Sequence, residues 1–223
     1  MEGLNEWLGA LRSFTRTPEA ARAFQDLRFR FAHTLGNELI RPRDGITHVR
    51  GPVLYGIYLD RIGPLYVGQT TEAERRLRDL PIGESHHLAN TFPPEVWDRI
   101  VVIPWKRALS TNPQASQALA RISLQHDDRL IGLELEHLLH RHETPLFSLR
   151  RKTTQGGWRP VDPARSKSAG ALIASSLQPI WGYIQSEWKT LATVSSPGVT
   201  YVGTGGWAVF PPVIRRQVFE TSA

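Results

Sequence analysis

The amino-acid sequence predicts an α/β fold in which a small, mostly antiparallel, three-stranded sheet is flanked by helices. Apolar strand patterns occur at residues 53–59, 65–68 and 99–105. Helical patterns lie before, between and after these strands. The resulting order of strand, strand, helix, strand and helix differs from the βαβ repeat of a parallel sheet, so we expect a sandwich built on a hairpin.

Residues 1–50 are predicted to be a helical N-terminal extension. Apolar residues recur at helical spacing from residue 4 to residue 11. Thr17 followed by Pro18 marks the start of a second helix, because threonine caps helices and proline suits their first position. Whether this extension completes the core or forms a dimer contact stays open at this point.

The central segment supplies the predicted core, over residues 52–148. The strand at 53–59 is followed by a turn and a returning strand, and a helix is expected over residues 71–80. A short helix is expected near residues 94–98, before the third strand. Residues 114–142 are predicted to be largely helical, in one or two pieces.

Residues 149–223 are predicted to hold a basic loop, a helix and short strands, within a chain that forms a single domain of 223 residues. The loop after Phe147 is rich in arginine, glycine and proline, as expected of a functional loop or arm. One helix is expected over residues 169–191. Short strands are expected at 199–203 and 206–210.

Composition restricts the class of protein. The net charge is +6, and only four of the 27 basic residues are lysine. Such an excess favours a polyanionic partner, because the arginine fork can grip a phosphate at two points, although a coding bias toward arginine gives the same excess. The absence of cysteine excludes disulfides, thiolate zinc sites and a cysteine nucleophile. The sequence has neither a signal-peptide pattern nor an apolar run of about 18 residues, so we expect a cytoplasmic protein.

Two tyrosines next to glycines mark the predicted hairpin. Tyr58 and Tyr66 lie on paired strands and are expected to approach one another. Tyrosine is also common in strands for purely structural reasons. On the next helix, Arg75, Arg76 and Arg78 cannot all face one way, because successive residues are about 100° apart. At least one of these arginines should face the sheet, either as part of a solvated face or as a phosphate site.

The late helix carries two glutamates in a leucine-rich stretch. Glu134 lies inside the apolar stripe and Glu136 lies nearer its border. His137 and His140, at i and i+3, could bind a metal, but no third ligand stands at a familiar spacing. Magnesium often needs only one or two protein carboxylates. Phenols, an arginine and a metal-bound carboxylate together are what phosphodiester hydrolysis requires.

The segment Gly56-Ile57-Tyr58 followed by Tyr66-Val67-Gly68 resembles the two-part signature of the GIY-YIG nucleases. The family's essential arginine falls eight positions after the last glycine, at Arg76. Its metal-binding glutamate corresponds to Glu136, because a proline follows nine positions later and an aromatic residue eleven positions later.

The resemblance implies a catalytic role for each matched residue. Tyr58 would accept a proton from the attacking water and Tyr66 would orient that water or the phosphate, although the two roles could be exchanged. Arg76 would stabilise the transition state, and Glu136 would hold Mg²⁺, for which Mn²⁺ can substitute. Glu134 is the alternative metal ligand.

The sequence also departs from the family pattern. Many relatives have tyrosine or histidine four residues after the arginine, where this chain has Leu80, and His86 or His87 could fill that role. Ser148 stands where relatives have a supporting asparagine, and Gln69 stands where some have lysine.

The compact chain without a cysteine zinc finger is most similar to the type II restriction branch of this family. That similarity implies double-stranded DNA as substrate and a cognate DNA methyltransferase in the same system. A palindromic site could be cut either by a homodimer or by a monomer that nicks the two DNA strands one after the other. Alternatives are a low-specificity nuclease of phage defence or of a mobile element, and a DNA-binding protein with weakened catalysis. Candidate DNA contacts, to bases or to phosphates, are Arg75, Arg78, Arg150, Arg151, Lys152, Gln155 and Arg159.

Overall fold

The computed structural model describes residues 2–14, 16–41, 48–83, 88–147, 150–152, 158–160, 168–195 and 198–220. The helices are α1 (Glu2–Phe14), α2 (Pro18–Ile40), α3 (Ala73–Asp79), α4 (Leu88–Thr91), α5 (Trp105–Ser110), α6 (Pro113–Ser123), α7 (Asp128–Glu143), α8 (Ala169–Leu172), α9 (Gln178–Thr193) and α10 (Pro211–Glu220). The strands are β1 (Val53–Leu59), β2 (Gly63–Thr70), β3 (Arg99–Ile103), β4 (Arg150–Lys152), β5 (Trp158–Pro160), β6 (Thr200–Val202) and β7 (Trp207–Val209). The predicted α/β class is confirmed.

The main sheet has five strands among the described residues, so the prediction of three strands is wrong. The strand order is β2-β1-β3-β7-β6, with every pairing antiparallel. Both C-terminal strands were expected from the sequence, but β3, which joins β7 to the sheet, lies about a hundred residues earlier in the chain. Local patterns show that a segment is a strand, whereas distant pairing depends on the tertiary fold.

Helices cover both faces of the sheet and bury two apolar clusters. We call the side covered by α2, α3 and α10 the α2 face, and the side covered by α5, α6, α7 and α9 the α7 face. Alternate residues of β1 point to opposite faces, as strand geometry requires. Tyr55 and Ile57 therefore pack on the α2 face, and Leu54 and Tyr58 pack on the α7 face.

The N-terminal extension completes the core. The hydroxyl of Thr17 accepts a hydrogen bond from the Ala20 N–H at 3.2 Å, which confirms the predicted cap. Further along α2, the side chains of Phe31 and Leu35 are fully buried against the sheet.

Several helical segments differ from the prediction. The helix expected at 169–191 consists of α8, a 3₁₀ turn at Ala174–Leu177 and α9, which has Pro179 in its first turn. A 3₁₀ turn at Pro94–Val96 replaces the short helix expected near residue 94. Helix α10 was not predicted at all, although Pro211 suits a first helical turn. None of the helices in the described part of the chain combines the length and the apolar character needed to cross a membrane.

Candidate active site

Tyr58 and Tyr66 lie on opposite faces of the sheet, so the expectation that they approach one another is wrong. Along the hairpin, Ile57 pairs with Tyr66 but Tyr58 pairs with Pro64, which leaves Leu65 as the extra residue of a β-bulge. A register shift of one residue moves the following side chains to the other face. Tyr66 therefore lies on the α2 face, with Ile57, whereas Tyr58 lies on the α7 face.

Tyr58 belongs to a buried hydrogen-bonded group. Its hydroxyl donates to Glu143 Oε2 at 3.0 Å and accepts a hydrogen bond from Trp188 Nε1 at 2.6 Å. Burial and the nearby Glu143 carboxylate raise the pKa of Tyr58 far above its ordinary value. The phenol of Tyr58 thus links β1 to α7 and α9, and it does not face Tyr66.

The tyrosine that accompanies Tyr66 is Tyr55, which the sequence analysis missed. The centroids of the two rings are 6.0 Å apart. The Tyr55 ring crosses over Gly68, where an added Cβ would lie 2.8 Å from the Tyr55 hydroxyl oxygen. The glycine of the second triplet therefore allows the two phenols to come together. The sequence signal for Tyr55 was strand alternation, since Tyr55 shares a face with Ile57, the partner of Tyr66.

Arg76 and Glu136 act electrostatically on both phenols. Arg76 lies on α3, between the buried side chains of Ala73 and Leu77, and lowers the pKa of Tyr55 and Tyr66. Glu136 raises the pKa of the same two groups. We call these four side chains the cluster, since the two rings are neighbours and Arg76 and Glu136 are the charges that act on both of them.

Tyr66 is the more acidic of the two clustered phenols. Burial, followed by Glu136, raises the pKa of Tyr66 to about 12. A hydrogen bond from Tyr55 lowers it, whereas the same contact raises the pKa of Tyr55, which burial already places well above its ordinary value. Tyr55 thus donates to the Tyr66 oxygen, and Tyr66 has the lower pKa of the two phenols.

Glu136 is a desolvated carboxylate at the edge of the sheet. Burial raises the pKa of Glu136 to about 7, and its side chain is 20% exposed. Its neighbour His140 lies 3.9 Å away, between Nε2 and Oε1, and contacts the Val67 carbonyl oxygen at 3.1 Å. This contact holds α7 along the outer edge of β2. Within the described ranges no three His, Cys, Asp or Glu side chains gather around one point, so any metal here would use few protein ligands.

The other acid of α7, Glu134, is separate from the tyrosines. Its side chain is 0% exposed, and neither carboxylate oxygen has a hydrogen-bond partner in the part of the chain that the structure describes. Burial raises the pKa of Glu134 to about 7, and Arg141 lowers it. Because Glu136 and not Glu134 acts on Tyr55 and Tyr66, the geometry favours Glu136 as the acid of the cluster.

The chain after α7 joins the edge of β2. Thr144 ends the helix in a left-handed conformation, with φ of 48°. The N–H of Leu146 then donates to Pro64 O at 3.1 Å, and that of Phe147 donates to Leu65 O at 3.0 Å. In the structure, the segment from Glu136 to Phe147 therefore comprises the end of α7 and a short stretch that pairs with β2 at the bulge, beside Tyr66. Ser148 lies outside the described residues.

Other predicted residues lie around the cluster without joining it. Arg75 is exposed and bonds Glu72 at 2.7 Å, and Arg78 bonds Glu74 at 3.1 Å. Leu80 is fully buried in the core, so it offers no contact to substrate. Gln69 faces away from the tyrosines, toward Gly132 on the α7 face.

The remaining candidates lie in segments described in part. His86, His87 and Gln155 are outside the described residues. The backbones of Arg150, Arg151 and Lys152 form β4, and that of Arg159 lies in β5.

Comparisons with known proteins place the chain in no family. No protein-family model, no curated protein and no solved structure matches it. The resemblance to the GIY-YIG nucleases therefore stays a prediction. The cluster of Tyr55, Tyr66, Arg76 and Glu136 rests on the proximity of the two tyrosine rings and on the electrostatic effects of the two charged side chains.

Proposed function

We propose that the protein is a metal-dependent endonuclease that hydrolyses phosphodiester bonds in double-stranded DNA. The observation that carries this proposal is the electrostatic coupling of Tyr55, Tyr66, Arg76 and Glu136 at one edge of the sheet. The cluster combines a proton acceptor, a fixed positive charge and a carboxylate, which are the groups that phosphodiester hydrolysis uses.

In this proposal Tyr66 takes the role that the sequence had suggested for Tyr58. Tyr66 acts as the base in its phenolate form: its own proton is first released to solvent, and the phenolate oxygen then accepts the proton of the attacking water. The pKa of Tyr66 is the lower of the two clustered phenols, and the positive charge of Arg76 favours the phenolate. Tyr55 donates its hydrogen bond to the Tyr66 oxygen and holds the phenol in position. Arg76 stabilises the negative charge that develops on the phosphate oxygens.

Glu136 would hold the divalent cation, Mg²⁺ or Mn²⁺. Burial alone raises its pKa, so a bound cation would stabilise the charged form of a carboxylate that now lacks sufficient solvation. One carboxylate is enough when water and substrate phosphate complete the shell of Mg²⁺. When bound, such a cation supplies Lewis-acid stabilisation of the phosphate and the leaving oxygen.

The test is cleavage of supercoiled plasmid DNA in the presence of Mg²⁺ or Mn²⁺. We expect Tyr66→Phe and Glu136→Gln to lower the rate by about 10²-fold or more, because each removes a group acting on the reacting atoms. Tyr58→Phe and Glu134→Gln are the matched controls, since they make the same changes on the same hairpin and on the same helix, but outside the cluster. We expect both controls, once shown to be folded, to cut like wild type.

Two results would reverse the assignment of residues. Loss of cleavage in folded Tyr58→Phe with normal cleavage in Tyr66→Phe would return the role of base to Tyr58. Loss of cleavage in Glu134→Gln alone would make Glu134 the metal ligand. Absence of metal-dependent cleavage by wild type, with retained DNA binding, would favour a binding protein without catalysis.

We further propose site-specific cleavage, as in a type II restriction endonuclease with a cognate methyltransferase. A net charge of +6 and a basic hairpin, which follows Phe147 closely in the chain, support contact with DNA beyond the scissile phosphate. Sequencing the ends of digested plasmid is the direct measurement. A single recognition sequence with a fixed cleavage position is expected, and a continuous smear of products would indicate a low-specificity nuclease instead.

A further inference from the structure

A short two-stranded sheet follows the candidate site and stands apart from the main sheet. Its strands are β4 and β5, which pair antiparallel, and we call them the basic ribbon. Four of its six residues are basic and none is acidic. In its register, Arg151 lies opposite Arg159, and Lys152 lies opposite Trp158.

The basic ribbon has little intrinsic stability. Among the described residues, the principal packing partner of each of its strands is the other strand. An isolated two-stranded hairpin is at best marginally stable in water. Directly opposed residues of such a pair have Cβ atoms about 5 Å apart, and like charges there are destabilising. Binding of an anion between Arg151 and Arg159 would therefore stabilise the ribbon, because it offsets the repulsion between the two positive charges.

The chain path keeps the basic ribbon near the candidate site. Phe147 is hydrogen-bonded to Leu65, the neighbour of Tyr66, and Arg150 follows Phe147 by three residues. Three residues span at most about 11 Å, even when fully extended. Phe147 itself lies about 5 Å from its partner on β2. The start of the ribbon is thus within about 16 Å of the strand that carries Tyr66.

We propose that the basic ribbon enters the major groove of double-stranded DNA and that Arg151 and Arg159 together hold a backbone phosphate there. This inference rests on the proposed function, because it names how the same site holds its substrate. A two-stranded ribbon fits the major groove. Phosphate contacts at this point fix the register of the duplex relative to Tyr66 and Glu136.

The test is DNA binding by the full-length protein without divalent metal, so that cleavage does not interfere. Fluorescence anisotropy with a short DNA duplex of mixed sequence gives the affinity at several salt concentrations. We expect Arg151→Ala and Arg159→Ala each to weaken binding about tenfold. The slope of log affinity against log salt should fall in magnitude by about 0.9 for each lost phosphate contact. Arg121→Ala, at an exposed position on α6, is the control and should bind like wild type.

A charge reversal separates DNA contact from a structural role. Arg151→Glu places a carboxylate opposite Arg159, and this opposite-charge pair stabilises the ribbon. If the arginines served only the local fold, this variant would bind DNA as well as wild type. If they hold a phosphate, it binds more weakly than Arg151→Ala.

The outcomes distinguish this inference from the proposed function. Ribbon-dependent DNA binding without any cleavage by wild type supports the ribbon assignment and contradicts the nuclease proposal. Metal-dependent cleavage with the same affinity and salt slope in wild type and the doubly substituted Arg151→Ala/Arg159→Ala protein overturns the ribbon assignment alone. Tighter binding to an RNA duplex than to DNA also overturns it, as does a wild type that binds no DNA.

Discussion

Two glutamates that lie two positions apart on α7 have different surroundings and therefore different expected roles. Burial raises the pKa of both Glu134 and Glu136 to about 7. Glu136 keeps 20% of its side chain exposed and acts on Tyr55 and Tyr66, whereas Glu134 is 0% exposed. Glu136 is therefore available to a cation from solvent, whereas the buried Glu134 makes the free energy of folding depend on pH.

Proton competition should control metal binding at Glu136. Because its carboxyl has a pKa of about 7, the proton is mostly bound below that pH and mostly lost above it. We expect the affinity for Mn²⁺ to rise about tenfold between pH ~6 and pH ~8, since a ligating carboxylate must be deprotonated. Isothermal titration calorimetry of the full-length protein measures this. Glu134→Gln should keep the pH dependence, and Glu136→Gln should abolish it; equal affinities of wild type at both pH values would contradict the assignment.

Glu134 should make the protein less stable as the pH rises. Its folded-state pKa is raised from 4.5 to about 7, so its favourable contribution is complete below the unfolded pKa and is lost as the pH rises through the folded pKa. We expect Glu134→Gln to gain stability over wild type by on the order of 2 kcal/mol on going from pH ~4.5 to pH ~8. Urea unfolding of both proteins at the two pH values provides the comparison. The contribution of Glu136 to the pH dependence cancels in the difference, because both proteins contain Glu136. A constant difference between the two proteins would rule out this role of Glu134.

At the scale of elements, the β1–β2 hairpin uses one glycine on each face. Gly68 gives room to Tyr55 on the α2 face. Gly56 gives room to Trp188 on the α7 face, where an added Cβ would lie 2.6 Å from Trp188 Cζ2. The same hairpin therefore supports the candidate site on one side and the packing of α9 on the other.

Alanine at these two glycines should separate catalysis from stability. Gly68→Ala displaces the clustered phenols, and we expect kcat/KM for DNA cleavage to fall about 10²-fold, as small misplacements of reacting groups do. Gly56→Ala overpacks the opposite core, and we expect it to lower the free energy of unfolding by about 1–3 kcal/mol while the folded protein keeps its activity. Plasmid cleavage and urea unfolding of both variants give the four values required. The reverse pattern would place the reaction on the α7 face.

At the scale of the whole molecule, the N-terminal helices are part of the fold. Helix α2 covers the same face of the sheet that carries Tyr55 and Tyr66, and it contributes fully buried residues such as Leu35. Arg28 of the same helix bonds the buried Glu95 at 2.9 Å. The face that holds the candidate site therefore depends on residues that come before the core segment in sequence.

Substitution within α2 should consequently destabilise the entire protein. We expect Leu35→Ala to lower the free energy of unfolding by about 2–5 kcal/mol, because it removes a buried side chain and leaves a cavity. Phe29→Ala, six residues earlier and 62% exposed, should change it by less than about 0.5 kcal/mol. Chemical denaturation followed by circular dichroism measures both changes. A small effect of Leu35→Ala would indicate that α2 is an accessory element after all.

Most elements were predictable because their patterns are local. Apolar alternation predicted β1, β2, β3, β6 and β7, and helical periodicity predicted α2, α6 and α7. The five-stranded sheet was not predictable in the same way, since more than a hundred residues separate β3 from its partner β7 in the chain. Helix α10 was missed because two prolines suggested an end of regular structure, whereas they begin a helix.

By itself, the sequence determined most of the strands and the longer helices, and it singled out Tyr66, Arg76 and Glu136 as candidates. The tertiary structure decided which tyrosine accompanies them. One extra residue in β2, Leu65, shifts the register of the hairpin and puts Tyr58 and Tyr66 on opposite faces, so that Tyr55 completes the cluster. Side chains alternate along a strand with a period of two, so a bulge of one residue reverses the assignment of faces, and only the strand pairing reveals where that bulge lies.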